Sequence, residues 1–233
     1  MRTLRLAALG VALLLATGAR AGTIDADAGD FDVIGFGGAG LVAGATTDGV
    51  AKAGDALSVD QTSRYLVRFP LDALPDDFAT ATLEVAIVST QTDGVADDAA
   101  PFANPGLGDL LARPVPDYAT PDAADYAAAA EGDAVVLVAS GAEAPAIASA
   151  DVTQAVRDAQ GAALPFATFR IETAVETDVD QRNDVFFLAT ADAADPASRP
   201  VLVYAPETSA ATASLAALAA LVARAGGRRS PAS

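Results

Sequence analysis

Arg64-Tyr65-Leu66-Val67-Arg68-Phe69 alternates strictly, with Tyr65, Val67 and Phe69 on one face and both arginines on the other. That period of two is the pattern of a strand with one buried side. Residues 80–90 (TATLEVAIVST) repeat it, placing Leu83, Val85 and Ile87 together. Shorter β-rich runs occupy 31–36, 56–59, 134–139, 166–173, 184–189 and 200–204. Most are bounded by turn residues: Pro70, Pro75-Asp76-Asp77, Gly94, Gly161 and Asp195-Pro196. Many short strands punctuated in this way predict an all-β antiparallel sandwich rather than a parallel α/β sheet.

Two helical patches interrupt the strands. Residues 122–131 are Ala-rich behind Pro121, whose fixed φ suits a first helical turn. Farther on, Asp151 is placed as an N-cap, with Val152, Ala155, Val156 and Ala159 along one face and Gly161 as the stop. Between 92 and 125 the chain is rich in Asp, Ala, Pro and Gly and reads as a long loop, a length that in compact domains is usually functional or mobile.

Composition narrows the chemistry. The 233 residues include no Cys, His or Trp, which removes disulfides, thiol chemistry, the commonest general base and the commonest neutral metal ligand. All 31 acidic residues lie between 22 and 207, against eight of the 14 basic ones, so this region carries −23. Such a surface repels nucleic acid and anionic membranes, favours solubility and makes cations, Ca²⁺ above all, natural small partners. A GC-rich genome or a saline habitat accounts for the same composition without any ligand.

Several motifs invite a functional reading. Gly35-Phe36-Gly37-Gly38-Ala39-Gly40 spells G-x-G-x-x-G, but Gly44 and Gly49 break the following stretch. No helix N-terminus is then available for a pyrophosphate, and the motif reads as a glycine loop between strands. Asp25, Asp27, Asp30 and Asp32 form one acidic cluster, and Asp178, Asp180, Asn183 and Asp184 form another beside Glu172 and Glu176. Alternating carboxylates can supply several of calcium's six to eight oxygen ligands. Asp178, Asp180 and Asp184 are the candidate calcium ligands, although neither run has EF-hand spacing and solvated turns explain both. No serine has a histidine partner or a G-x-S-x-G elbow, and no carboxylate pair stands out for glycoside hydrolysis.

The middle of the chain resembles a known family. Arg64 to Pro75 (RYLVRFPLDALP), then Ala81-Thr82-Leu83-Glu84-Val85, Asp151-Val152-Thr153, Phe187-Leu188-Ala189-Thr190 and Asp195 to Tyr204 (DPASRPVLVY) are similar, in order, to the core motifs of DNRLRE-type domains. The resemblance implies a β-sandwich of jelly-roll type with one or two short helices, spanning 22–205. It also implies a secreted bacterial protein related to carbohydrate-binding modules, some of which take uronic-acid polysaccharides and many of which hold a structural calcium. Two departures stand out: the family's W-x-E/T-W segment is replaced by 92–125, and its closing Ser and Glu are here Thr190 and Asp192. Sugar sites usually need an aromatic platform. With Tyr65 and Tyr204 expected in the core, Tyr118 and Tyr126, which flank the long loop, are the candidate ligand-binding residues.

Both ends carry addresses. Arg2 and Arg5 precede an uncharged apolar run at 6–16, too short to span a bilayer, and Ala19-Arg20-Ala21 fits an A-x-A cleavage site. Residues 1–21 therefore read as a signal helix, with Gly22 as the first mature residue. At the other end Ala205-Pro206-Glu207-Thr208 precedes a short apolar run at 209–223, read as a helix, followed by Arg224, Arg228 and Arg229. Residues 206–233 resemble a PEP-CTERM sorting tail, with Thr208 where that family has proline; an ordinary amphipathic or disordered tail is the alternative. The resemblance implies export machinery and an exosortase-type protease as partners, membrane contact only transiently through the tail, and a destination in the periplasm or on the outer surface or extracellular matrix of a Gram-negative bacterium. The expected function is thus non-catalytic, structural or adhesive. A calcium-assisted carbohydrate-binding module recognising exopolysaccharide is the alternative, and a polysaccharide-degrading enzyme a third.

Overall fold

The computed structural model describes residues 21–36, 39–45, 49–56, 61–92, 95–96, 107–118, 122–176 and 184–207. The expected signal and tail helices lie outside them. Among the described residues the strands, in chain order, are β1 (Gly22–Asp25), β2 (Phe31–Phe36), β3 (Ala39–Ala45), β4 (Val50–Ala56), β5 (Gln61–Pro70), β6 (Phe78–Thr92), β7 (Val95–Ala96), β8 (Leu110–Pro114), β9 (Val135–Val138), β10 (Ile147–Asp151), β11 (Phe166–Thr173), β12 (Asp184–Ala189) and β13 (Val201–Pro206). Two short helices, α1 (Ala123–Tyr126) and α2 (Thr153–Gly161), and a 3-10 turn at Pro196–Ser198 complete the order.

The strands form a mostly antiparallel-paired sheet, strongly curled into a half-barrel. Its path runs β1-β13-β6-β12-β4-β5-β11-β8-β9, with β10 and β7 also on β6 and the β2–β3 hairpin on β5. The two stretches with the clearest alternation are the two longest strands, and each changes partner along its length. β6 pairs β13 and β10 through its first half and β12 through its second. β5 pairs β4 at Gln61–Ser63 and β11 from Tyr65 to Pro70, while β2 runs beside residues 61–66. A twisting strand that passes from one neighbour to another forces the sheet to curl, and the β12/β6 irregularity at Phe187/Leu188 adds to the twist. Gly54, at φ +132° in β4, sits against the β12 backbone, where a Cβ would lie 2.1 Å from the Asp184 carbonyl oxygen.

Alternation decides what faces inward. Tyr65, Val67 and Phe69 of β5 meet Leu83 and Val85 of β6, Phe169 and Ile171 of β11, and Phe186 and Leu188 of β12 inside the curl. Val152 and Val156 from the start of α2 also join this core. A second, smaller cluster lies on the opposite face of β5, where Leu66 packs with Phe31, Val33, Val115, Tyr118 and Tyr126.

Where structure and expectation part, local physics gives the reason. Residues 92–125 contain β7, β8 and α1 rather than one loop. Leu110 to Pro114 is a strand because β11 and β9 flank it, and its short apolar run is hidden in Asp/Ala/Pro/Gly-rich sequence. Of the strand expected at 56–59, Ala56 ends β4 (Val50–Ala56) and residues 57–59 lie outside the described residues. The helix expected over 122–131 stops after four residues. The Tyr126 carbonyl accepts from Arg64 and Arg170, and the Ala128 carbonyl from Arg170, so neither awaits a helical N–H. α2 begins at Thr153, one turn position beyond the expected cap, yet Asp151 still accepts the Thr153 N–H at 2.9 Å. Phe169 lies tilted against Phe69 at 6.3 Å in the centre of the curl. Phe169→Ala is therefore expected to cost about 3–5 kcal/mol, read as a lowered midpoint in urea unfolding.

Candidate functional site

On the outer face of β5, cross-strand register gathers charge. Arg64 lies opposite Val33 of β2, Leu66 opposite Arg170 of β11, and Arg170 opposite Arg113 of β8. Glu172, two residues along β11 from Arg170, is therefore on the same face. Its Oε2 lies 2.8 Å from Arg170 Nε and 3.0 Å from Arg64 Nε, and its Oε1 accepts from Arg113 Nε. Only 6% of the Glu172 side chain is exposed, against 7% for Arg170 and 31% for Arg113. Burying ionised groups costs several kcal/mol each, and only close, hydrogen-bonded pairing offsets that cost.

Residues 122–131 reach these arginines and are pinned by them. Arg170 Nη1 donates to the carbonyls of Tyr126 (3.1 Å) and Ala128 (2.7 Å), while Arg64 donates to Tyr126 O. The Arg64 guanidinium lies 4.0 Å from the centroid of the Tyr126 ring. Tyr126 donates its hydroxyl to Glu176 Oε1 at 2.8 Å, and Arg64 Nη2 reaches the same oxygen at 2.6 Å. Burial pushes the Tyr126 phenol up to about 12, partly offset by Arg64. The ring lies directly on Gly35 of β2, where a Cβ would sit 2.2 Å from Tyr126 Cζ.

A parallel arrangement surrounds Arg68. It pairs with Asp27 at 2.8 Å, donates to the Tyr118 carbonyl at 2.7 Å and lies over the Tyr118 and Phe166 rings at 4.8 and 4.3 Å. Tyr118 donates to Gly29 O at 3.0 Å and meets Phe31 edge-on at 4.7 Å. On the core side, Tyr65 donates to buried Asp30 at 2.6 Å, and the Ala191 N–H joins the same oxygen at 2.7 Å. Burial raises the Asp30 pKa above its ordinary 3.8, although both hydrogen bonds pull it down.

These contacts bear on the two tyrosines named as ligand candidates. Tyr118 and Tyr126 are buried, 4% and 2% exposed, with a guanidinium over each ring, so they do not form an exposed stacking platform for a sugar. The acidic cluster at 25–32 is also divided: Asp27 serves Arg68, Asp30 serves Tyr65, and Asp32 accepts the Lys52 N–H. Of the calcium candidates, Asp184 is buried at the start of β12, opposite Asp55 and Thr92; Asp178 and Asp180 lie outside the described residues. Among the described residues no group of three or more acidic side chains is arranged to hold a metal ion.

Ala21 is exposed just before β1, whereas Ala19, Thr208, Arg228 and Arg229 lie outside the described residues. Pro206 closes β13 opposite Phe78. Glu207 donates its N–H to Asp77 O at 2.6 Å, and its carboxylate lies 3.5 Å from Arg157. Sequence reasoning missed Arg113 and Arg170, and noted Glu172 only as a neighbour of the second acidic cluster. The one signal for Arg170 and Glu172 is a pair of opposite charges at i and i+2 within the apolar strand Phe166–Thr173; Arg113, in β8, has none.

Two outcomes follow for unfolding experiments. Glu172→Gln leaves three guanidiniums without their shared carboxylate and should cost about 3–5 kcal/mol in urea unfolding, whereas Glu176→Gln, at the exposed rim, should cost under about 1 kcal/mol. For Asp30, the raised folded-state pKa means that the folded chain holds the proton more tightly. Its contribution is full below 3.8 and is lost as pH rises through the raised value. The stability difference between wild type and Asp30→Asn, measured from roughly pH 3 to 7, should therefore shift against the wild type as pH rises.

Comparison with models of known protein families gives no match, and comparison with curated proteins gives none either.

Proposed function

We propose that this chain is an exported, non-catalytic protein of the outer surface or extracellular matrix of a Gram-negative bacterium, with a structural or adhesive role. Its middle is read as a jelly-roll β-sandwich similar to DNRLRE-type domains, and its ends as a signal peptide and a PEP-CTERM-like sorting tail. The observation that carries this reading is the place and the pairing of the first and last described strands. β1 begins at Gly22, beside the expected signal cleavage, and β13 ends at Pro206, on the sorting motif. The two strands pair, with Gly22 opposite Tyr204, so both expected processing points stand at one corner.

The inward-turned tyrosines weigh toward a structural role. Each phenol that the sequence offered to a ligand is instead committed to bracing the outer face.

Replacing Pro206-Glu207 with Ala-Ala should block processing and surface delivery, read by the mass and location of the chain in the native host. Unchanged processing and location would sink the sorting reading. A glycan array with and without Ca²⁺ should stay at background. Calcium-dependent binding to an acidic exopolysaccharide would replace the structural role with that of a carbohydrate-binding module, and turnover of a uronic-acid polymer would make the chain an enzyme.

A further inference from the structure

A cleft of about 560 Å³ opens between α2, the start of β11 and the 131–135 segment. Its wall is apolar, with Val115, Val152, Ala155, Ala159 and Phe169 among the lining residues. Every charged residue that lines it is acidic: Glu131, Asp133, Asp151 and Asp158. An apolar wall with an exclusively anionic rim fits a partner that is itself apolar and basic.

The chain contains such a segment. Residues 209–229 carry no acid, and Leu215, Leu218 and Val222 recur at helical spacing ahead of Arg224, Arg228 and Arg229. Its root is fixed beside the cleft's own helix, because Glu207 lies 3.5 Å from Arg157 of α2. Arg157 projects from one side of α2, and Gln154, Ala155, Asp158 and Ala159 line the cleft on the other. A helix with side chains is about 10–12 Å across, so roughly four extended residues beyond Glu207 cover the distance.

We propose that this cleft seats the chain's own C-terminal segment, with Leu215, Leu218 and Val222 against the apolar wall and the arginines at the acidic rim. The domain thereby shields its apolar tail in water and releases it when a membrane competes for the same residues. This purpose rests on the sorting reading of the tail. The seating itself does not, since it is measured on purified chain with no protease present.

The absence of native cysteine makes the test direct. Val135→Cys in the cleft and Leu218→Cys in the tail are introduced together into the full chain, with Val88→Cys/Leu218→Cys as the control. Val88 is exposed on β6, ten residues beyond the Phe78 that lies opposite Pro206, and is within reach of an extended tail. Under mild oxidation the cleft pair should close as an intramolecular disulfide about tenfold faster than the control. Ala155→Cys replaces Val135→Cys if that variant fails to fold. Glu131→Gln/Asp133→Asn/Asp158→Asn, or 0.5 M salt, should slow closure by roughly threefold or more. Equal rates for cleft and control pairs overturn the proposal, as does a disulfide formed only between molecules, which would assign the cleft to a second copy's tail. Closure indifferent to both salt and rim charge overturns the role given to the arginines.

Discussion

The outer half of this structure depends on one carboxylate. Glu172 is nearly buried on a sheet face and is held by guanidiniums from three neighbouring strands, β5, β8 and β11. Register makes this arrangement, since Arg64, Arg170 and Arg113 fall on one side of their strands only when the pairing is correct. A shift of any one of these strands by one residue would turn its own arginine to the opposite face. The ion cluster therefore ties strand register to the packing of the covering segment, because the same arginines hold the Tyr126 and Ala128 carbonyls.

That economy is notable in so acidic a chain. Of eight basic residues between 22 and 207, Arg64, Arg113 and Arg170 surround Glu172, and Arg68 braces Tyr118 on the same face. The acidic excess is left to other surfaces. The three arginines around Glu172 behave as elements of architecture, and the loss of any one removes a partner from a buried charge rather than a surface one.

How much of this was legible depended on whether the information was local. Period-two alternation placed Tyr65, Val67, Phe69, Leu83 and Val85 correctly, and the strands at 31–36, 166–173 and 184–189 match residue for residue. Alternation also put Arg64 and Arg68 on the opposite face. It carried no sign that a segment fifty residues later would cover that face, so Tyr118 and Tyr126 read as ligand candidates rather than as partners of those arginines. The short strand at Leu110–Pro114 was hidden because its stability comes from β9 and β11 on either side, not from its own composition. Ion clusters of this kind are non-local, and a single sequence shows only their separate members.

The pairing of β1 with β13 also has a mechanical meaning. Any pull on the chain through residue 207 enters the domain along β13, a six-residue strand bonded on one side to β1 and on the other to β6. A load directed along the strand axis shears both ladders at once, so their hydrogen bonds yield together rather than in succession. An axial tether at this end thus grips the sheet through two rows of bonds, and the point of attachment is reinforced by β1, the first described strand.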